Sequence, residues 1–151
     1  MRASPGDVFA ALFAAHQAGD HWAQTSAQAT TKGQPGARGR RACAAHVATL
    51  TAGKAAALAA LQLSGRQIRP GRAVIALAAD AASHYLADRR SSEPLTGLAR
   101  LAHLAGRGEF WALGQPRPGR DDNPVLGTGS YALDQAFHIG CLWAASAWMA
   151  C

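Results

Sequence analysis

A histidine and an aspartate four residues apart, repeated in three separate apolar stretches, constrain this chain more than any other feature. His16 and Asp20 form the first pair, His84 and Asp88 the second, and Asp134 with His138 the third in reverse order. On an α-helix, positions i and i+4 leave the same face one turn apart. Each pair therefore presents an imidazole beside a carboxylate. The first follows a run in which Val8, Leu12, Ala15 and Gly19 share one helical stripe. Imidazole and carboxylate are costly to bury in apolar helices unless they meet one another or a cation. The pattern asks for a fold that gathers several helices around the pairs. His46, in another Ala-rich stretch, is a fourth candidate, whereas His21 and His103 read as surface or boundary residues.

No segment alternates convincingly with period two, so the expected fold class is all-α. Four main helices are predicted over residues 7–27, 41–63, 72–90 and 131–150, with a shorter one from about Pro94 to Ala105. Asp7 reads as the cap of the first. Ser64-Gly65 and Gly106-Arg107-Gly108 read as stop signals. Residues 30–41 and 114–130 are connections rich in Gly, Pro and charge. In the second, Asp121 and Asp122 are placed to cap the bundle or add a ligand, and Arg117 and Arg120 are candidate anion contacts. The 151 residues contain no visible internal repeat, which suits one domain over 1–151. Alanine supplies much of the 49% hydrophobic content. The core must therefore form by close helix approach. The expected architecture is a compact helical bundle with the His/Asp cluster in its interior.

The formal charge is +6, from 15 Lys and Arg against 9 Asp and Glu. That balance suits anionic lipid, a phosphoester, nucleic acid or the cytoplasmic loops of a membrane protein, and does not choose among them. Cys43, Cys141 and Cys151 lack a paired CxxC spacing and read as small buried thiols. No signal peptide is apparent, which places the chain on the cytoplasmic side. Residues 44–63, 74–87 and 136–151 are apolar enough to raise membrane insertion, but each is short or interrupted by a polar residue. Localisation at the cytoplasmic membrane and a soluble cytoplasmic bundle both stay open.

Imidazole and carboxylate together suit zinc, manganese or iron. Helix bundles build such sites from paired side chains on facing helices. The candidate metal ligands are His16, Asp20, His46, His84, Asp88, Asp134 and His138. Asp20, Asp88 and Asp134 are also the candidate catalytic groups, as general base or as the partner that holds a ligating histidine. A purely structural network of His–Asp hydrogen bonds uses the same residues.

These residues carry a resemblance. His16-x-x-x-Asp20 followed by Gln24, Lys32, His46, His84-x-x-x-Asp88 and Asp134-Gln135-Ala136-Phe137-His138 resembles the small phage and bacterial proteins of domain-of-unknown-function family 3307. The likeness runs from about Leu12 to Trp143, and its most specific part is the terminal Asp-Gln-x-x-His. It implies a membrane-associated helical protein, distantly similar to membrane-bound metal-dependent hydrolases. Gln24 and Lys32 match that pattern without an implied role. The helices here are richer in alanine than the family pattern.

Three functions follow as expectations. The first is a metal-dependent hydrolase of a phosphoester or lipid-like substrate. The second is a non-catalytic membrane or mobile-element accessory protein with a structural His–Asp network. The third is a basic DNA-binding regulator, although no compact helix–turn–helix with a basic recognition helix is visible.

Overall fold

The computed structural model describes residues 1–89, 97–114 and 128–151. In those residues the chain forms α1 (Pro5–Ala18), a π-helical turn (Gly19–Ala23), α2 (Ser26–Thr31), α3 (Gly36–Leu63), α4 (Pro70–Asp88), α5 (Gly97–Leu104), α6 (Gly108–Trp111) and α7 (Gly129–Ala150). The all-α expectation holds. Four long helices, α1, α3, α4 and α7, pack on one another, while α2 lies on α3 and α6 joins α5 to α7.

The predicted ends are corrected in several places. Asp7 is not the first cap. Ser4 takes that position, with its hydroxyl accepting from Asp7 N while the Asp7 carboxylate accepts from Ser4 N, and Pro5 fills the first turn. The first helix does not run smoothly to residue 27. It passes into the π-turn at Gly19 and ends before Thr25, which caps α2 in a second reciprocal box with Gln28. The connection 30–41 is shorter than expected, because α3 starts at Gly36 and carries Arg38, Arg40 and Arg41 on helix. α4 begins two residues before the expected start at Arg72, at Pro70, and α7 begins at Gly129. The end of α3 is as read: Gly65 at φ +90° lets its own N–H reach Gln62 O and Arg66 N–H reach Leu61 O.

The apolar core fills one end of the bundle. Val8 and Leu12 of α1, Leu58 of α3, Ala76 of α4, and Leu142 and Met149 of α7 meet there, with Phe9, Phe13 and Leu77 packed against them. The N-terminal strand of chain is tied down beside it, with Ala3 N–H on Gln67 O at 3.0 Å. Above the core lies a buried ion pair between Lys54 and Asp80 at 2.5 Å. The opposite end receives the last turn of α1, the first half of α3, the last turn of α4 and the first turns of α7. These are the segments that bear the His/Asp pairs. Among the described residues, α3 alone is long and apolar enough to cross a membrane, a property that core helices of soluble proteins share. Of the cysteines, Cys43 is buried and Cys141 half-buried, but Cys151 is exposed at the chain end, contrary to expectation.

Candidate metal centre

Each predicted pair forms a contact within its own helix, because the four-residue spacing stacks the two side chains. His16 Nε2 lies 3.5 Å from Asp20 Oδ2, His84 Nε2 lies 3.2 Å from Asp88 Oδ2, and His138 Nε2 lies 3.7 Å from Asp134 Oδ1. The bundle then brings the pairs together around His46. His46 Nε2 is 3.2 Å from His84 Nε2, 3.3 Å from Asp20 Oδ1 and 3.5 Å from Asp88 Oδ2. His84 Nε2 is also 3.8 Å from Asp20 Oδ1. The rings of His84 and His138 stack nearly parallel, with 4.0 Å between centroids, and His16 lies 5.3 Å from His138 and 5.5 Å from His84. All seven predicted ligands therefore belong to one assembly.

The π-turn delivers Asp20. Its wider turn carries the chain beyond α1 while keeping the carboxylate beside His16 and His46. Gly19 sits where any Cβ would collide with the Leu50 side chain, so α1 and α3 approach closely at this level.

The assembly is largely buried. His16, His46, His84, Asp88, Asp134 and His138 are buried, and Asp20 is half-buried. Burial pushes His16 down to about 4 and His138 down to about 3, so both are neutral near pH 7 and present lone pairs. Burial raises the Asp20 carboxyl, but the His46 hydrogen bond and the neighbouring histidines outweigh it and hold Asp20 well below the usual carboxylate range. Asp88 follows the same balance, with burial opposed by His84 and by the Lys32 ammonium 2.8 Å away. Both nitrogens of His16, His84 Nδ1 and His138 Nε2 are buried without a hydrogen-bond partner. Cys43 lies nearby, with burial and Asp88 pushing its thiol up to about 11.

Ligands bonded to one small divalent ion at about 2.0–2.2 Å stand roughly 3–4 Å from each other. The contacts around His46 fall in that range. Three sets of donors each lie within 4.8 Å of one another: His16, Asp20 and His84; His46, His84 and Asp88; and Asp88, Asp134 and His138. A cleft of about 780 Å³ opens onto Asp20, Asp88 and Asp134, with Gln24, Lys32 and Tyr131 on its walls.

No family model, curated protein or solved structure matches this chain.

Lys32 and Gln24 now have positions. Lys32 pairs with Asp88, and Gln24 lines the cleft with a buried Nε2 that lacks a hydrogen-bond partner. Sequence reasoning missed Arg89. Its guanidinium donates to the carbonyls of Lys32 at 2.6 Å and Gln34 at 2.8 Å, fixing the loop that carries Lys32. It also missed the partnership of Lys54 with Asp80. Each is the single charge in its apolar stretch, and that isolation was the available signal. His21 is exposed and 3.3 Å from the Tyr131 hydroxyl, and His103 is exposed. Arg117, Arg120, Asp121 and Asp122 lie outside the described residues.

Proposed function

We propose that this chain is a membrane-associated helical protein that binds a divalent metal and carries out hydrolase-like chemistry on a phosphoester or lipid-like substrate. The observation that carries the metal reading is the convergence of His46 Nε2, His84 Nε2, Asp20 Oδ1 and Asp88 Oδ2 in a buried site. Two imidazole nitrogens 3.2 Å apart need one proton between them or one cation among them. Two carboxylates beside them favour the cation. Zinc, manganese and iron all accept this donor set.

A bound ion of this kind lowers the pKa of water and polarises a phosphoryl oxygen. The chain's own residues supply the rest. Asp20, Asp88 and Asp134 line the cleft, where a carboxylate oxygen not bound to metal would accept the water's proton. Lys32 stands at the cleft wall as a contact for an anionic substrate. Kinship with family 3307 is part of the same proposal and rests on the shared His, Asp, Gln and Lys layout.

Membrane association rests on the outer surface of the core end. Residues 8–15, 47–63, 73–83 and 139–150 contain only two charged side chains, Lys54 and Asp80, and both are buried against each other. Val74, Ile75, Trp143 and Trp148 face outward there at 50–67% exposure. Arg66, Arg69 and Arg72 border the surface, as basic residues do at an anionic lipid face.

Hydrolysis of a chromogenic phosphoester by the metal-loaded protein tests the catalytic part. Turnover that stops on chelation, returns with metal and falls at least about a hundredfold in Asp134→Asn supports it. Stoichiometric metal without turnover on phosphoesters or phospholipids makes the centre non-catalytic.

A further inference from the structure

The donor sets are not equivalent, and their sharing pattern decides how many ions the centre can hold. The set of His16, Asp20 and His84 shares two residues with the contacts around His46. It competes for the same ion. The set of Asp88, Asp134 and His138 shares only Asp88. Asp88 Oδ2 faces His46 and His84, and Oδ1, which also pairs with Lys32 at 2.8 Å, keeps a second lone pair, so Asp88 can serve two ions at once. The geometry points to a dinuclear centre, with one divalent ion held by His46, His84 and Asp20, a second held by Asp134 and His138, and Asp88 bridging them. This rests on the metal reading above.

Three observations support the second ion. His138 is buried, and its Nε2 has no hydrogen-bond partner. His84 and His138 stack with 4.0 Å between ring centroids, so nitrogens borne by the two rings suit ions about 3.5–4 Å apart, the separation of two-metal hydrolytic sites. Asp134 lines the cleft together with Asp20 and Asp88, so a substrate in the cleft meets carboxylates of both ions.

Charge indicates what that substrate is. Asp20, Asp88 and Asp134 against Lys32 leave two negative charges on ionised side chains. One divalent ion cancels them, and a second leaves a surplus of two positive charges. A phosphate monoester dianion neutralises that surplus, with Lys32 at the wall beside it. His16 Nε2 lies 3.5 Å from Asp20 Oδ2 without a hydrogen bond, and Asp20 Oδ1 faces the first ion.

Titration of the chelator-stripped full chain with Mn²⁺, followed by equilibrium binding and electron paramagnetic resonance, tests this. The expected result is two equivalents per chain, with the exchange-coupled spectrum of a bridged pair. His138→Ala and the isosteric Asp134→Asn should each bind one equivalent and give an isolated six-line signal, with helicity by circular dichroism unchanged. One equivalent in the wild type, two uncoupled ions, or two equivalents retained in both folded variants overturns the dinuclear centre while leaving a mononuclear metal site standing. No binding at all overturns both. Inorganic phosphate should bind the two-ion form at least about tenfold more tightly than the one-ion form, and equal binding contradicts the dianion assignment.

Discussion

Burial sets the protonation state of the centre residue by residue. Burial pushes His16 and His138 down to about 4 and about 3 in the folded chain, from 6.5 for a free imidazole, because it penalises the imidazolium. Both shifts run downward, so below pH 6.5 the unfolded chain binds more protons than the folded one. The metal-free protein is therefore predicted to lose stability steadily as pH falls from about 6.5 toward 4, read as a falling melting temperature. Asp20 and Asp88, also shifted downward, add to the loss at still lower pH. A melting temperature flat across that window contradicts neutral buried histidines. Much of this residue-level picture was legible in the sequence, since the three i, i+4 pairs and His46 name all seven members of the cluster. The contacts between helices were not. Nothing in local spacing tells that Lys32 reaches Asp88, or that Arg89 holds the Lys32 loop by its carbonyls.

At the scale of elements, α3 and α4 are joined by the Lys54–Asp80 pair in the bundle interior. Removing one partner strands the other charge. Lys54→Ala is predicted to cost about 3–5 kcal/mol in urea unfolding, whereas Lys54→Met with Asp80→Leu should recover most of it. A single variant as stable as wild type contradicts the pairing. Gly39 tells why α3 begins earlier than its sequence suggests. Gly36-Ala37-Arg38-Gly39 reads as loop by propensity, yet a Cβ at Gly39 would overlap the Gln34 carbonyl and the Arg89 guanidinium. The glycine permits a close tertiary approach on helix instead of breaking it. Gly39→Ala should accordingly destabilise the fold by about 1–3 kcal/mol, and a neutral or stabilising effect would count against that approach. The four long helices were readable from periodicity, and the stop at Gly65 from its residue type, whereas the short α2 and α6 were not. The π-turn after α1 was not, because it depends on how Asp20 and Gly19 meet α3.

For the whole molecule, the His/Asp centre lies at one end, and Val74, Ile75, Trp143 and Trp148 are exposed around the other. Trp143→Asp with Ile75→Asp is predicted to abolish co-flotation with anionic phospholipid vesicles while leaving helicity intact, because both side chains are exposed and lie outside the buried core cluster. Wild-type protein that stays out of the vesicle fraction contradicts membrane association. The central claim is that four helices converge on a divalent-metal site, and elemental analysis of the purified chain tests it most directly. At least one equivalent of zinc, manganese or iron per chain is predicted, lost in His46→Ala with His84→Ala while circular dichroism shows the helices retained. A wild-type protein that carries no metal and takes up none of the three ions when each is supplied contradicts the account and leaves the His/Asp cluster as a structural network.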